Sequence, residues 1–268
     1  MSEEQQPVEA SKPNVNDILA SLSELNKKQI IKIYVPSMQE DISFRPLTVK
    51  QQKNLLSSGV DVEIENLTFS NTINSIITEN CLSNKDQIRL TDRSMIVYQL
   101  RCNSVGETLS FIDDDVTYTV NLREHIDNIK QNDLNPPTKF KVSVEDLVVE
   151  GEVPGLDRDT KYNKQFTKTM KGNKTVDGIK LTDIVGDIYI HEMMKYVTTI
   201  QAQDQILNLD DVKISQAISI FESLPMTVSS QVAKEIKNCR ELELMAMSAD
   251  QLPEDVQLPF DASMFTGE

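Results

Sequence analysis

Two histidines, His125 and His191, and three cysteines, Cys81, Cys102 and Cys239, are the only imidazoles and thiols in this chain. They bound its metal and nucleophilic chemistry. His191 opens the string His191-Glu192-Met193-Met194-Lys195. A zinc-protease helix needs a second histidine four residues on, so that both rings leave one helical face, and Lys195 stands at that place. His191 therefore reads as a partly buried helix residue with a hydrogen-bond partner. The cysteines are far apart, odd in number and without a C-x-x-C pair, so they read as reduced small apolar residues; Cys81 and Cys239 lie in stretches of helical character. Asp113, Asp114 and Asp115 have the charge of a calcium loop but not its spacing, since an EF-hand needs separated oxygen ligands, a glycine and a closing glutamate. The eight glycines form neither a Gly-x-x-x-x-Gly-Lys loop nor a Gly-x-Gly-x-x-Gly turn, and no Gly-x-Ser-x-Gly elbow presents a serine. Carboxylates are too abundant to single out a glycosidase pair, whose separation is a three-dimensional quantity. Asp92-Arg93 reads as an ion pair at a helix start. The expectation is a chain with no catalytic residue, no cofactor and no metal.

Composition agrees with that expectation. With 268 residues, 39% of them hydrophobic, the chain has the material for one large domain or two modest ones. Its 27 Lys and Arg against 42 Asp and Glu give a formal charge of -15, which repels a phosphate backbone and argues against nucleic acid as a partner. Lys161, Lys164, Lys168, Lys171 and Lys174 recur every three or four residues and read as one solvated helix face, or as a docking surface for an acidic partner. Residues 1–12 are polar, with no apolar run of signal-peptide type, and no segment reaches the ~18–20 apolar residues of a membrane span. A soluble, cytoplasmic protein is the simplest expectation.

Periodicity supplies the elements that position these residues. Asn14 caps an amphipathic helix carrying Val15, Ile18, Leu19, Leu22 and Leu25, a stripe expected to pack on its own domain. Ile31, Ile33 and Val35, then Ile42 and Phe44, alternate as a hairpin. Thr48 and Gln51 have the spacing of a capping box, so a helix begins there and ends at Gly59. Phe69, Ile73, Ile76, Ile77 and Cys81 mark the next helix, and Thr91 reads as the cap of another, with Met95, Ile96 and Leu100 inside. Leu109 and Phe111, then Val116, Tyr118, Val120 and Leu122, flank the aspartates as a second hairpin.

Asn135-Pro136-Pro137 is the expected internal boundary. Beyond it, Phe140, Val142 and Val144 alternate, and Val153-Pro154-Gly155 turns the chain. One helix then runs from Thr182 through Ile200, a second is capped by Asp210 or Asp211 and ended by Pro225, and a last one opens at Thr227 and continues through Leu242. The fold class read from this pattern is α+β, predominantly helical, with antiparallel β-hairpins in the N-terminal half and a helical C-terminal half. The expected divisions are a mobile tail at 1–12, an α+β domain at 13–134, a mostly helical domain at 135–248 and an extended acidic tail at 249–268.

Several blocks also resemble a known family. Ile33-Tyr34-Val35-Pro36-Ser37, followed by Phe44-Arg45-Pro46-Leu47-Thr48-Val49-Lys50-Gln51-Gln52-Lys53, is similar to the opening of the T-even-type myophage baseplate hub and hub-assembly proteins. Leu90-Thr91-Asp92-Arg93 with Leu100-Arg101, then Tyr189 through Val197, then Leu224-Pro225 with Val232 and Ile236, resemble later blocks in the same order. The resemblance spans about residues 30–245. It implies a non-enzymatic part in the central hub of a contractile tail baseplate, through contacts with hub, tape-measure or neighbouring baseplate proteins, in the infected cell or the finished virion. The residues it marks for partner contact are Lys50, Gln51, Lys53, Asp92, Arg93, Arg101, His191, Glu192 and Lys195. Two other readings remain beside it: an enzyme with an acidic cleft, and an adaptor or chaperone that shields another tail protein. A perturbed carboxylate pair in a concave pocket would favour the enzyme, and exposed apolar patches would favour assembly.

Overall fold

The computed structural model describes residues 14–59, 65–132, 134–172 and 181–266, so the polar tail expected at 1–12 lies outside the described residues. The fold is α+β and predominantly helical, with antiparallel hairpins. Helix α1 (Val15–Lys28) leads into a hairpin of β1 (Ile31–Val35) and β2 (Glu40–Phe44), followed by α2 (Val49–Ser58), α3 (Glu65–Asn80) and α4 (Arg93–Ser104). A second hairpin, β3 (Thr108–Asp113) and β4 (Val116–Asn121), precedes α5 (Leu122–Gln131). Strands β5 (Lys139–Val144) and β6 (Leu147–Glu152) are followed by α6 (Leu156–Gly172), α7 (Leu181–Tyr196), β7 (Val197–Ala202) and β8 (Gln205–Asn208). Helices α8 (Ile214–Glu222), α9 (Met226–Cys239) and α10 (Glu241–Met247) end the regular structure. Strands β5 to β8 form one antiparallel sheet in chain order, although two helices intervene between β6 and β7.

The strand pattern read for the first hairpin holds residue by residue. Ile33, Val35, Ile42 and Phe44 are all buried, in a register that pairs Ile33 with Ile42 and Ile31 with Phe44. The aspartate turn is built by Asp114 and Asp115, both at positive φ (45° and 65°), the left-handed backbone that a two-residue hairpin turn requires. In the third hairpin Gly151 faces Phe140. A Cβ on Gly151 would lie 2.3 Å from that ring and 2.6 Å from the Tyr196 carbonyl oxygen, so only glycine allows the approach.

At the start of α2 the capping box is complete. The Gln51 amide donates to the Thr48 hydroxyl oxygen at 3.2 Å, and the Thr48 amide donates to Gln51 Oε1 at 3.1 Å. Thr48→Ala is expected to cost about 0.5–2 kcal/mol of folding stability, read from the denaturant midpoint, because it strands an amide at the first turn. No change in that midpoint would mean that water caps the helix equally well.

Other expectations are corrected. The stripe of α1 does not pack on its own domain: Asn14 caps the helix, yet no residue of α1 is buried. Thr91 is a buried residue of a short 3-10 turn, Leu90–Asp92, and not a helix cap. Instead Asp92 takes the Arg89 amide at 2.8 Å. Leu122 does not continue the second hairpin but begins α5, because Asn121 Oδ1 accepts from the amides of both Arg123 and Glu124 and turns the chain into a helix. Nor does the helix ending at Tyr196 run on to Ile200. Val197-Thr198-Thr199-Ile200 is β-branched throughout, and the edge of β6 offers it a ladder. The next helix is capped at Lys213, since Asp210 and Asp211 belong to a 3-10 turn capped by Asn208. The last expected helix breaks at Arg240 into α9 and α10.

One buried apolar cluster runs from Ile33 to Phe265, across Asn135-Pro136-Pro137 and into the segment expected to be an extended acidic tail. That segment folds down because apolar residues recur among its carboxylates: Val256, Leu258, Ala262, Met264 and Phe265 are buried. Its backbone is tied by the Tyr98 hydroxyl to the Pro259 oxygen (3.2 Å), Arg101 Nε to the Met264 oxygen (2.7 Å) and Gln52 Nε2 to the Phe265 oxygen (2.8 Å).

Candidate functional site

Asp159 on α6 has no solvent-accessible surface, and it organises the polar interior. Its Oδ2 accepts from Asn74 of α3 at 2.8 Å, Asn163 of α6 at 3.0 Å and Arg93 of α4 at 3.1 Å. Lys195 of α7 stands 2.8 Å from Oδ1 as an ion pair without hydrogen-bond geometry. Burial alone would raise this carboxyl, but the Arg93 and Lys195 charges outweigh it and hold it below the usual carboxylate range. Lys195 also meets Glu192 at the surface, at 2.6 Å.

The local sequence explains the convergence. Asp159 and Asn163 are four apart on α6, and His191 and Lys195 are four apart on α7, so each pair leaves one helical face toward the other. The His191 ring stacks on Phe166 at 4.5 Å, and its Nε2 lies 3.2 Å from Asn163 Oδ1. Burial first, and the Lys195 charge second, push the imidazole down to about 3. A carboxylate held ionised beside an imidazole held neutral is the opposite of an acid and base tuned to neutral pH. Buried thiols are not poised for attack either, since burial raises all three cysteines, Cys102 and Cys239 to about 11.

Asp92 and Arg101 make two further buried anchors. Asp92 accepts the Ser37 amide (2.8 Å) and hydroxyl (2.7 Å), which locks the turn after β1 onto the start of α4. Burial raises its carboxyl against these hydrogen bonds. Arg101 donates to the Met264 and Gly106 carbonyls and so holds the C-terminal segment to α4.

The nine residues marked for partner contact thus divide. Asp92, Arg93, Arg101, His191 and Lys195 are buried, and the folded chain presents none of them as a free surface. Gln51 is half-buried and tied by its side-chain amide to Asn80 at 2.9 Å. Lys50 and Lys53 are exposed on one face of α2, and Glu192 sits at the rim of the buried network. Sequence reading missed Asp159, Asn74 and Asn163. Their helical spacing was visible, but nothing distinguished Asp159 from the other carboxylates of an acidic chain. Of the lysine face, Lys161, Lys164 and Lys168 lie exposed on α6, while Lys174 and the Lys171 side chain fall outside the described residues.

Neither of two open clefts contains the perturbed carboxylate. One, of 440 Å³, lies beside Ile88, Gly155, Arg158, Lys161 and Asp210, where Arg158 and Lys161 already pair with Asp210. The other, of 660 Å³, is lined by Ser57, Ser58, Asn71, Thr72, Ser75 and Lys164, all hydroxyl, amide or amine. Among the described residues no helix is long and apolar enough to cross a membrane.

Buried charges thus lock the helices together, while the lysines of α2 and α6 and the apolar stripe of α1 face outward. Residues 25–246 match the family model of the T4 bacteriophage base plate protein, and the chain belongs to that family. No curated protein and no solved structure matches it.

Proposed function

We propose that this protein is a non-enzymatic component of the central hub of a contractile tail baseplate, acting through contacts with hub, tape-measure or neighbouring baseplate proteins. The observation that carries the reading is the family match over residues 25–246, which contains the Phe44–Lys53 segment and the later blocks that resemble hub and hub-assembly proteins. The interior supports it: the buried carboxylate of Asp159 is neutralised by Arg93 and Lys195 rather than open to a substrate. Fractionating tagged chain from infected cells tests the assignment. It is expected with hub intermediates. Recovery only with peripheral baseplate parts overturns the hub role, and recovery with neither overturns the baseplate role. The adaptor reading is favoured by the exposed apolar stripe of α1, and absence from finished tails would support it.

Val49, Lys50 and Lys53 are the exposed residues of the Phe44–Lys53 segment, and the two lysines carry its exposed charge. Lys50→Glu with Lys53→Glu is expected to leave the melting temperature within a few degrees, since surface charges far from partners change stability by ~0.5 kcal/mol or less. Baseplate assembly in a complementation assay is expected to fall. Normal assembly would assign the segment to folding alone, and a failure to fold would contradict the exposure of both lysines.

A further inference from the structure

The C-terminal segment is held as a peptide ligand is held. From Val256 to Met264 apolar and polar residues alternate, in the order Val-Gln-Leu-Pro-Phe-Asp-Ala-Ser-Met. Val256, Leu258, Ala262 and Met264 are buried and Phe260 is half-buried, whereas Gln257 and Ser263 are exposed. That is the period of an extended chain that lays every second side chain against a surface. Yet the segment joins no sheet. Among the described residues its one main-chain bond to the body runs from the Leu258 amide to the Met247 oxygen, at 2.8 Å. Its carbonyls are taken instead by side chains of the body: Tyr98 donates to Pro259, Arg101 to Met264 and Gln52 to Phe265.

Phe260 has a pocket of its own. Its ring meets Phe69 of α3 and Tyr98 of α4 edge-on, with centroids 5.7 and 6.5 Å apart, and the Arg93 guanidinium lies 5.2 Å from its centre. Main-chain groups fixed by hydrogen bonds, with alternate side chains in pockets, are the means by which proteins bind extended peptides. We infer that α2, α3 and α4 frame a peptide-binding groove, that residues 256–265 are its ligand supplied in cis, and that the groove keeps its affinity for this segment when the connection to α10 is cut. The ligand class is an extended peptide with apolar side chains at alternate positions and an aromatic ring at the fifth. The connection acts as a tether: Pro253, Glu254 and Asp255 are exposed, in a turn closed by the Val256 amide on the Pro253 oxygen at 3.0 Å. A short tether gives an effective concentration on the order of 1 mM, so a segment seated in all but about a tenth of the chains binds in trans with a Kd of ~100 µM or tighter.

The test inserts a site-specific protease sequence between Glu254 and Asp255 of the full chain and cuts it after folding. The cut segment is expected to stay with the body in gel filtration and to be displaced by an excess of fluorescein-labelled synthetic peptide of residues 255–266, whose anisotropy gives the Kd. Met264→Asp in the peptide is expected to weaken binding at least ~30-fold, because it carries a carboxylate into a fully buried position. Gln257→Ala, at an exposed position, is expected to stay within about threefold. Gln52→Ala in the body removes one donor and is expected to weaken binding about two- to tenfold. Should the inserted sequence prevent folding, native-state hydrogen exchange on the unaltered chain decides. The amides of Leu258, Met264 and Phe265 are expected to open together, at a lower denaturant concentration than the amides of α4. The inference is overturned if the cut segment is lost and the peptide does not bind, if the peptide binds equally well with Met264→Asp, or if those three amides exchange only when α4 unfolds.

Discussion

Asp159→Ala is expected to lower the free energy of unfolding by about 3–5 kcal/mol, because it leaves Arg93 buried without its counter-charge and Lys195 with only the rim carboxylate of Glu192. The side chains of Arg93 and Lys195 are only 11% and 5% exposed, so water cannot replace the lost carboxylate. Asn74 and Asn163 lose their shared acceptor in the same step. The measurement is a denaturant titration with an unchanged slope and a lowered midpoint. Asp159→Asn keeps an oxygen for the donors and should fall between parent and Ala. Replacing Asp159, Arg93 and Lys195 together by Leu, Met and Met is expected to recover most of the loss, since a buried ion group exchanged whole for apolar volume is often neutral or stabilising. A loss below ~1 kcal/mol for Asp159→Ala would show that the four helices do not depend on this junction.

Acid is expected to destabilise the protein well before its carboxylates are protonated. His191 titrates at about 3 in the folded chain against an ordinary 6.5, because the ring is buried against Phe166 beside Lys195. As the pH falls below ~6.5 the unfolded chain takes up this proton and the folded chain does not, so stability is present above 6.5 and lost toward 3. The loss at pH 5 is about 2 kcal/mol from His191 alone. His125, lowered by burial where its Nε2 meets the Ala246 oxygen at 2.9 Å, adds in the same direction. Asp159 contributes with this sign too, but only below the ordinary carboxylate range. Asp92, whose carboxyl is raised, opposes the loss in acid. Unfolding free energies at pH 7, 6 and 5 measure the slope, and His191→Gln is expected to flatten it by close to one proton. An equal slope in parent and variant would mean that His191 is hydrated and charged in the folded protein.

Where local chemistry decides structure, the sequence could be read. The Thr48–Gln51 box, the aspartate turn and the alternation of Ile31 to Phe44 each depend on a few adjacent residues, and each appears as expected. Reading failed where a partner distant in sequence decides. Val197 to Ile200 fits either the end of an apolar helix or a strand, and the β6 edge settles the choice. The segment after Ala249 looks like a solvated acidic tail until Arg101 and Gln52 take its carbonyls. The resemblance drew attention to Arg93, His191 and Lys195, but their fate turned on Asp159, which no motif singled out. Residues needed to hold a fold together carry as distinctive a pattern as residues that meet a partner, and burial separates them.

The clasp of the C-terminal segment also bears on the order of folding. Phe265 is held by Gln52 from 213 residues away, and Met264 by Arg101 from 163. Residues 258–265 are synthesised after every element they close against, so α2 and α4 wait with uncovered surface while the intervening chain is made. Contacts of such high sequence separation form late and slowly. A chain lacking this segment would be left open along α4, and such an intermediate is prone to aggregate. Closing the clasp is therefore expected among the last steps by which the body seals along α4.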